Sequence, residues 1–143
     1  MAIYSLALNT TVTTTAAPAW DIKAASTNQP AVMEVSIQLG AATASTYGLG
    51  RSGNTPTQTS PVLLQAEDPA RPAALTGCAT AWGTAPTVPT QFFRRIALPN
   101  TIGSGVIWTF PRGLILAAAA ASLVAWNLAV NSASTNIYAV ADE

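Results

Sequence analysis

Gly48-Leu49-Gly50-Arg51-Ser52-Gly53 has the spacing G-x-G-x-x-G. In a dinucleotide-binding fold that spacing makes a tight turn after a strand, and a pyrophosphate rests on the N-terminus of the helix that follows. Here NTPTQTSP follows, and Pro56 and Pro61 stand where the helix would have to run. The sextet therefore reads as a glycine-rich turn between strands. Glu67-Asp68 is an internal acidic pair. Neighbours on a strand point to opposite faces, so these carboxylates do not converge on one substrate; before Pro69 they read as a solvated or interface-edge strand end, and Asp142-Glu143 as a charged C-terminal end. Cys78 is the sole cysteine and there is no histidine. The thiol has no imidazole to activate it, and no internal disulfide or cysteine-based metal cluster can form. Cys78 reads as a small buried or loop residue. Arg94-Arg95 could hold a phosphate or an acidic neighbour, but on a strand one faces in and one out, which favours a salt-bridge or interface role. Asn9-Thr10-Thr11 fits a glycosylation sequon, yet the N-terminal stretch lacks the basic region and unbroken apolar run of a secretory signal. These residues lead to an expectation of no enzymatic activity, no cofactor and no metal.

The composition narrows the class. Only 8% of the residues are charged and the formal net charge is zero, against about 25% charged residues in ordinary soluble domains. Such a surface has little electrostatic protection against association, so it belongs in lipid or against other protein. Half of the chain is hydrophobic, which argues against disorder. The six Lys and Arg residues are scattered from Lys23 to Arg112 and form no phosphate-binding face, so nucleic acid is not an expected partner. A chain of 143 residues is read as one domain.

The elements that must position these residues read as strands. In AVMEVSIQL, Met33, Val35, Ile37 and Leu39 alternate with Glu34, Ser36 and Gln38, the period of a half-buried strand. Tyr4, Leu6 and Leu8 do the same, as do Trp20, Ile22 and Ala24 against Asp21 and Lys23. VLLQAED, QFFRRIAL, GVIWTF and NIYAV read as further strands. No segment carries a convincing amphipathic helical period. Irregular loops are expected at about 51–61 and 69–90; Trp82 argues that the second is an ordered excursion packed on the body or on a neighbour.

Gly113 to Val130, GLILAAAAASLVAWNLAV, has no charge and approaches the roughly 20 apolar residues that cross a bilayer as a helix. A helical span is thus a competing reading, with Arg112 as its flank. Its second half is sorted differently: Val124, Trp126, Leu128 and Val130 fall on one face, and Ala125, Asn127, Ala129 and Asn131 on the other. A spanning helix has no reason to sort residues with period 2, so the run reads as strand, Ala-rich connection and strand, and no membrane partner is expected. The large-apolar face puts Trp126 in one core with Val35 and Ile37.

Three stretches, GRSGNTPTQTSPVLLQAEDPA, APTVPTQFFRRIALP and GVIWTFPRGLILAAAAASLVAWNLAVNSASTNIYAVADE, resemble small virion proteins of tailed bacteriophages that decorate or cement the head. The resemblance covers roughly the C-terminal two-thirds. It implies an all-β, jelly-roll-like antiparallel sandwich, 1–143 as a single domain, forming a homotrimer on the major capsid protein lattice at the outer surface of the phage head. Tail and spike proteins share the architecture, so a module binding a receptor or glycan stays open, with Trp82 as its candidate aromatic. Arg51, Trp82, Arg94 and Arg95 are the candidate interface residues. The irregular loops at Arg51–Pro61 and Pro69–Pro89 and the N-terminal residues are the candidate contact regions.

Overall fold

The computed structural model describes residues 2–11, 16–118, 120, 122–129 and 134–143. In chain order the strands are β1 (Ile3–Thr11), β2 (Ala17–Lys23), β3 (Ala31–Leu39), β4 (Ser45–Arg51), the short β5 (Thr57–Gln58), β6 (Val62–Leu63), β7 (Gln65–Ala66), β8 (Gly77–Ala79) and β9 (Trp82–Thr84), then β10 (Phe92–Leu98), β11 (Gly105–Ile115), β12 (Leu123–Asn127) and β13 (Ser134–Asp142). No helix occurs among the described residues, and the chain is an all-β antiparallel sandwich.

One sheet has the order β11-β3-β13-β1-β7 and the other β10-β4-β12-β2-β8-β6. Without the short strands, the eight long strands taken in chain order pair 6-3-8-1 in the first sheet and 5-4-7-2 in the second. That is jelly-roll winding, in which the chain passes back and forth between two packed sheets. β5 and β9 pair with each other as a separate ribbon.

The expected alternation holds where a strand has one face in the core. Trp20, Ile22 and Ala24 of β2 and its end are buried, as are Val35, Ile37 and Leu39 of β3, and they meet in one cluster with Tyr47, Leu49 and Trp108. Met33 departs from it. The register of β3 against β13 shifts between the pairs Val140–Glu34 and Ala141–Val32, which leaves Met33 as the extra residue. Such a bulge reverses which face the next side chain takes, so Val32 enters the core and Met33 is half-buried.

β12 departs more instructively. The run from Gly113 is the end of β11, a connection and β12, as its period indicated; Ala119, Ala121, Val130 and Asn131 lie outside the described residues. Among the described residues no helix is long and apolar enough to cross a membrane. The sorting into faces is present, but its orientation is the reverse of the expected one. Leu123 and Ala125 face the core shared with Val35 and Ile37, and Asn127 is fully buried beside them. Trp126 is half-buried on the opposite face, with Gly48 beside it on β4 and Pro18 beside it on β2. The reason is that this sheet is covered on both faces. Val124 is fully buried but faces away from the main core, beneath the excursion between β4 and β10.

VLLQAED does not form one strand. β6 joins the second sheet through β8, and β7 joins the first through β1, with buried Leu64 at the crossing. GVIWTF and GLI run together as β11, interrupted by a register shift between Thr109 and Leu114. Gly113, in that shift, has φ +68°, and a Cβ there would lie 2.7 Å from the Cβ of Ala31. Gly113→Ala is expected to cost about 1–2 kcal/mol from the left-handed backbone alone. Urea unfolding measures it; an unchanged midpoint would mean that the bulge relaxes.

Candidate functional site

β10 and β11 are the edge strands of their two sheets and lie on the same side of the sandwich, because strands five and six of the winding end the two sheet orders. Arg94 of β10 reaches across the gap, its guanidinium 5.3 Å from the ring centre of Phe110 on β11, while its Nη1 donates to the carbonyl of Phe93 at 2.8 Å. Arg51, at the end of β4, stacks over Phe93 at 5.7 Å and donates from Nη2 to the carbonyl of Ile115 at 2.9 Å. Arg95 lies 5.7 Å over Phe92. Arg112 sits on the bulge of β11 and, with Arg94, Phe110, Pro111 and Gly113, lines a shallow hollow of about 360 Å³.

Four of the six cationic side chains of the chain, Arg51, Arg94, Arg95 and Arg112, thus share one edge. Among the described residues the ion pair is Arg71 to Asp68, at 3.5 Å and far from that edge. Cations held on aromatic faces at exposed sites gain roughly 0.5–1 kcal/mol each, which fixes the guanidinium planes without neutralising them. Phe93, Ile107 and Ile115 are exposed beside them. The bulges, Pro111 and the arginines also keep these edges from pairing indiscriminately with other strands.

The opposite edge carries carboxylates, of which Asp68 is paired with Arg71. β7 ends the first sheet, and Glu67 and Asp68 follow it directly; the Glu67 amide donates to the carbonyl of Ile3. Glu143 closes the same end by accepting from the amides of Leu75 and Thr76 at 2.6 and 3.2 Å. Ile3, Val62, Leu63 and Leu75 are exposed there. Four interstrand spacings separate β7 from β11, or about 19 Å at 4.8 Å each.

The sequence candidates therefore divide. Arg51, Arg94 and Arg95 are brought together. Trp82 is half-buried elsewhere, its indole Nε1 donating to Asp21 Oδ1 at 2.7 Å. Asp21 lies on the outer face of β2 and is fully buried under the excursion, where Gln58 Nε2 donates to the same oxygen at 3.0 Å and Lys23 Nζ donates to the carbonyl of Pro56 at 2.7 Å. Burial raises the Asp21 carboxyl above its ordinary value, and the hydrogen bonds of Gln58 and Trp82 offset part of that rise. Arg112, read only as a flank of the apolar run, and Phe110 were not among the interface candidates; only the winding that places β10 beside β11 would have found them.

The sextet Gly48–Gly53 is not the expected turn, since Gly48 to Arg51 lie within β4, and its glycines have a structural use there. A Cβ on Gly48 would lie 2.5 Å from the Phe92 ring, and one on Gly50 would lie 2.7 Å from Pro89. Bare backbone on the outer face of β4 lets the returning chain lie flat on the sheet. Cys78 is buried on β8, and burial, with the Asp21 charge second, pushes its thiol well above the usual range. The folded protein is expected to resist thiol-specific alkylation at neutral pH and to react when unfolded; rapid labelling of native protein would contradict that placement. Among the described residues no three His, Cys, Asp or Glu side chains group to hold a metal. Comparisons with protein-family models, with curated proteins and with solved structures find no match to this chain.

Proposed function

We propose that this chain is a structural virion protein that decorates the phage head: it binds the outer face of the major capsid protein lattice as a symmetric oligomer, a trimer, and stabilises the shell. The observation that carries the reading is the surface of the sandwich. On a chain with 8% charged residues, large apolar side chains such as Ile107, Ile115, Leu63 and Leu75 stand exposed along the two edges. Apolar surface of that kind marks contact with other protein. The resemblance of the C-terminal two-thirds to head decoration proteins supplies the partner. Stabilisation follows by linkage: a protein that binds the assembled lattice but not its separated subunits favours the assembled state. The tail or spike reading has less support, because the indole N–H of Trp82, its candidate sugar platform, is already committed to Asp21.

The test is to compare heads assembled with and without this chain for tolerance to heat and chelators, and to add the purified protein back. Restored tolerance, with hundreds of copies per particle, supports the proposal. Heads that never contain the chain, or a purified chain that ignores expanded capsids, refute it; a handful of copies moves the protein to the tail.

A further inference from the structure

We propose that copies of this chain associate head to tail, the arginine edge of one copy docking on the β6–β7 edge of the next. This deepens the oligomer part of the reading above and rests on it. The edge formed by β10 and β11 offers Arg51, Arg94 and Arg112 beside exposed Phe93, Ile107 and Ile115. The far edge offers Glu67 and Asp68 beside exposed Ile3, Val62 and Leu63. Asp68 already pairs with Arg71 there, which leaves Glu67 as the carboxylate free to meet a partner, so the arginine edge is positive and the far edge is negative on balance.

Charge decides which edges meet. A two-fold contact brings a patch onto itself. Here it would set arginines against arginines, or Glu67 against its own copy, and like charges facing each other across an interface oppose association. A contact between unlike edges sets arginines against carboxylates and apolar strip against apolar strip. Because the contact joins two different edges it is heterologous, and it closes into a ring only when its rotation divides a full turn. A ring of three is the case that agrees with the trimer. The short β6 and β7 suit this role. β7 pairs with β1 only at Tyr4 and Ser5, which leaves the outer edge of β1 beyond them bordering a groove of about 530 Å³ lined in part by Leu6, Leu8 and Val62.

Two exposed side chains without a hydrogen bond or ion pair among the described residues, Arg112 and Glu67, make the test clean. Sedimentation velocity and native mass spectrometry would follow purified wild-type protein, Arg112→Glu, Glu67→Lys, and the double variant Arg112→Glu with Glu67→Lys, with circular dichroism confirming that each folds. The expected result is a wild-type oligomer that weakens in high salt. Each variant alone should need at least about tenfold higher concentration to associate, the consequence of a like-charge contact. The double variant should reassociate, since its reversed arginine edge fits the reversed acidic edge of the next copy at every contact of the ring. Should Arg112→Glu alone fail to fold, Arg94→Glu takes its place. A monomeric wild type, single variants that associate as the wild type does, or a double variant that stays dissociated would each overturn the inference. Failure here is distinguishable from failure of the capsid reading: a monomer that still adds to heads sinks only the head-to-tail contact, and an intact oligomer that ignores heads sinks only the capsid reading.

Discussion

Trp20→Ala is expected to remove about 3–5 kcal/mol of stability, the usual loss for emptying a buried Trp site. Trp20 is 1% exposed and lies in the middle of the core between the sheets, among the apolar residues of β2, β3, β4 and β12. β strands with fixed registers on both sides leave few ways for the walls to collapse into the space. Since a whole domain is stabilised by roughly 5–15 kcal/mol, this substitution alone should bring the protein near unfolding at body temperature. Trp126→Ala provides the contrast. That ring is half-buried on the outer face of its sheet, so a loss of about 1–2 kcal/mol is expected from its partial burial. Denaturant unfolding of both variants checks the orientation of β12: if Trp126→Ala costs as much as Trp20→Ala, the two faces have been assigned the wrong way round.

Trp82→Phe is the second large effect. Phenylalanine keeps most of the ring but removes the N–H that Asp21 Oδ1 accepts. A hydrogen bond to a charged, buried group contributes about 1.5–3 kcal/mol, and that is the expected loss at neutral pH. The pH dependence has a definite sign. The folded protein holds the Asp21 carboxyl above its ordinary value of 3.8, chiefly through burial. The folded state therefore binds the proton more tightly than the unfolded chain. The associated stability is fully present below about pH 3.8 and is lost as pH rises through the folded value. Asp21→Asn keeps an oxygen acceptor for Trp82 and Gln58 and removes the buried charge, so it should flatten that dependence and raise stability relative to wild type at neutral pH. Thermal unfolding across pH checks it, and an unchanged slope in Asp21→Asn would show that another group titrates there.

These two tryptophans also show what could be read from residue order and what could not. β2 and β3 were legible because one face of each meets the core and period 2 reports that directly: Trp20 and Ile22, Val35 and Ile37 are all buried. β12 was legible as a strand but not in its orientation, because both of its faces are covered and the larger side chains went to the outer one. Asp21 looked like an ordinary exposed position between Trp20 and Ile22; its burial depends on Gln58 and Trp82, which arrive from far along the chain. The bulge at Met33 is a register event between β3 and β13 and leaves no mark in either strand's pattern. The arginine edge lies in the same category. Arg51, Arg94 and Arg112 are widely spaced in sequence, and only the order in which the sheets are wound makes them neighbours.

The pairing of β1 with β13 runs from Ile3 opposite Asp142 to Thr11 opposite Ser134. During synthesis the ribosome makes one of these strands long before the other. At about 5–20 residues per second, Ile3 waits on the order of ten seconds for its partner. β3 waits as well, since β11 and β13, its neighbours on both sides, also come late. The first sheet therefore cannot close until β13 has been made, and pairings between such distant segments form slowly in any case. Until then β1 and β3 present apolar strands with open edges in a chain that has few charges to keep copies apart. Yield on expression should accordingly depend on how fast and how crowded synthesis is, more than on the stability of the finished sandwich.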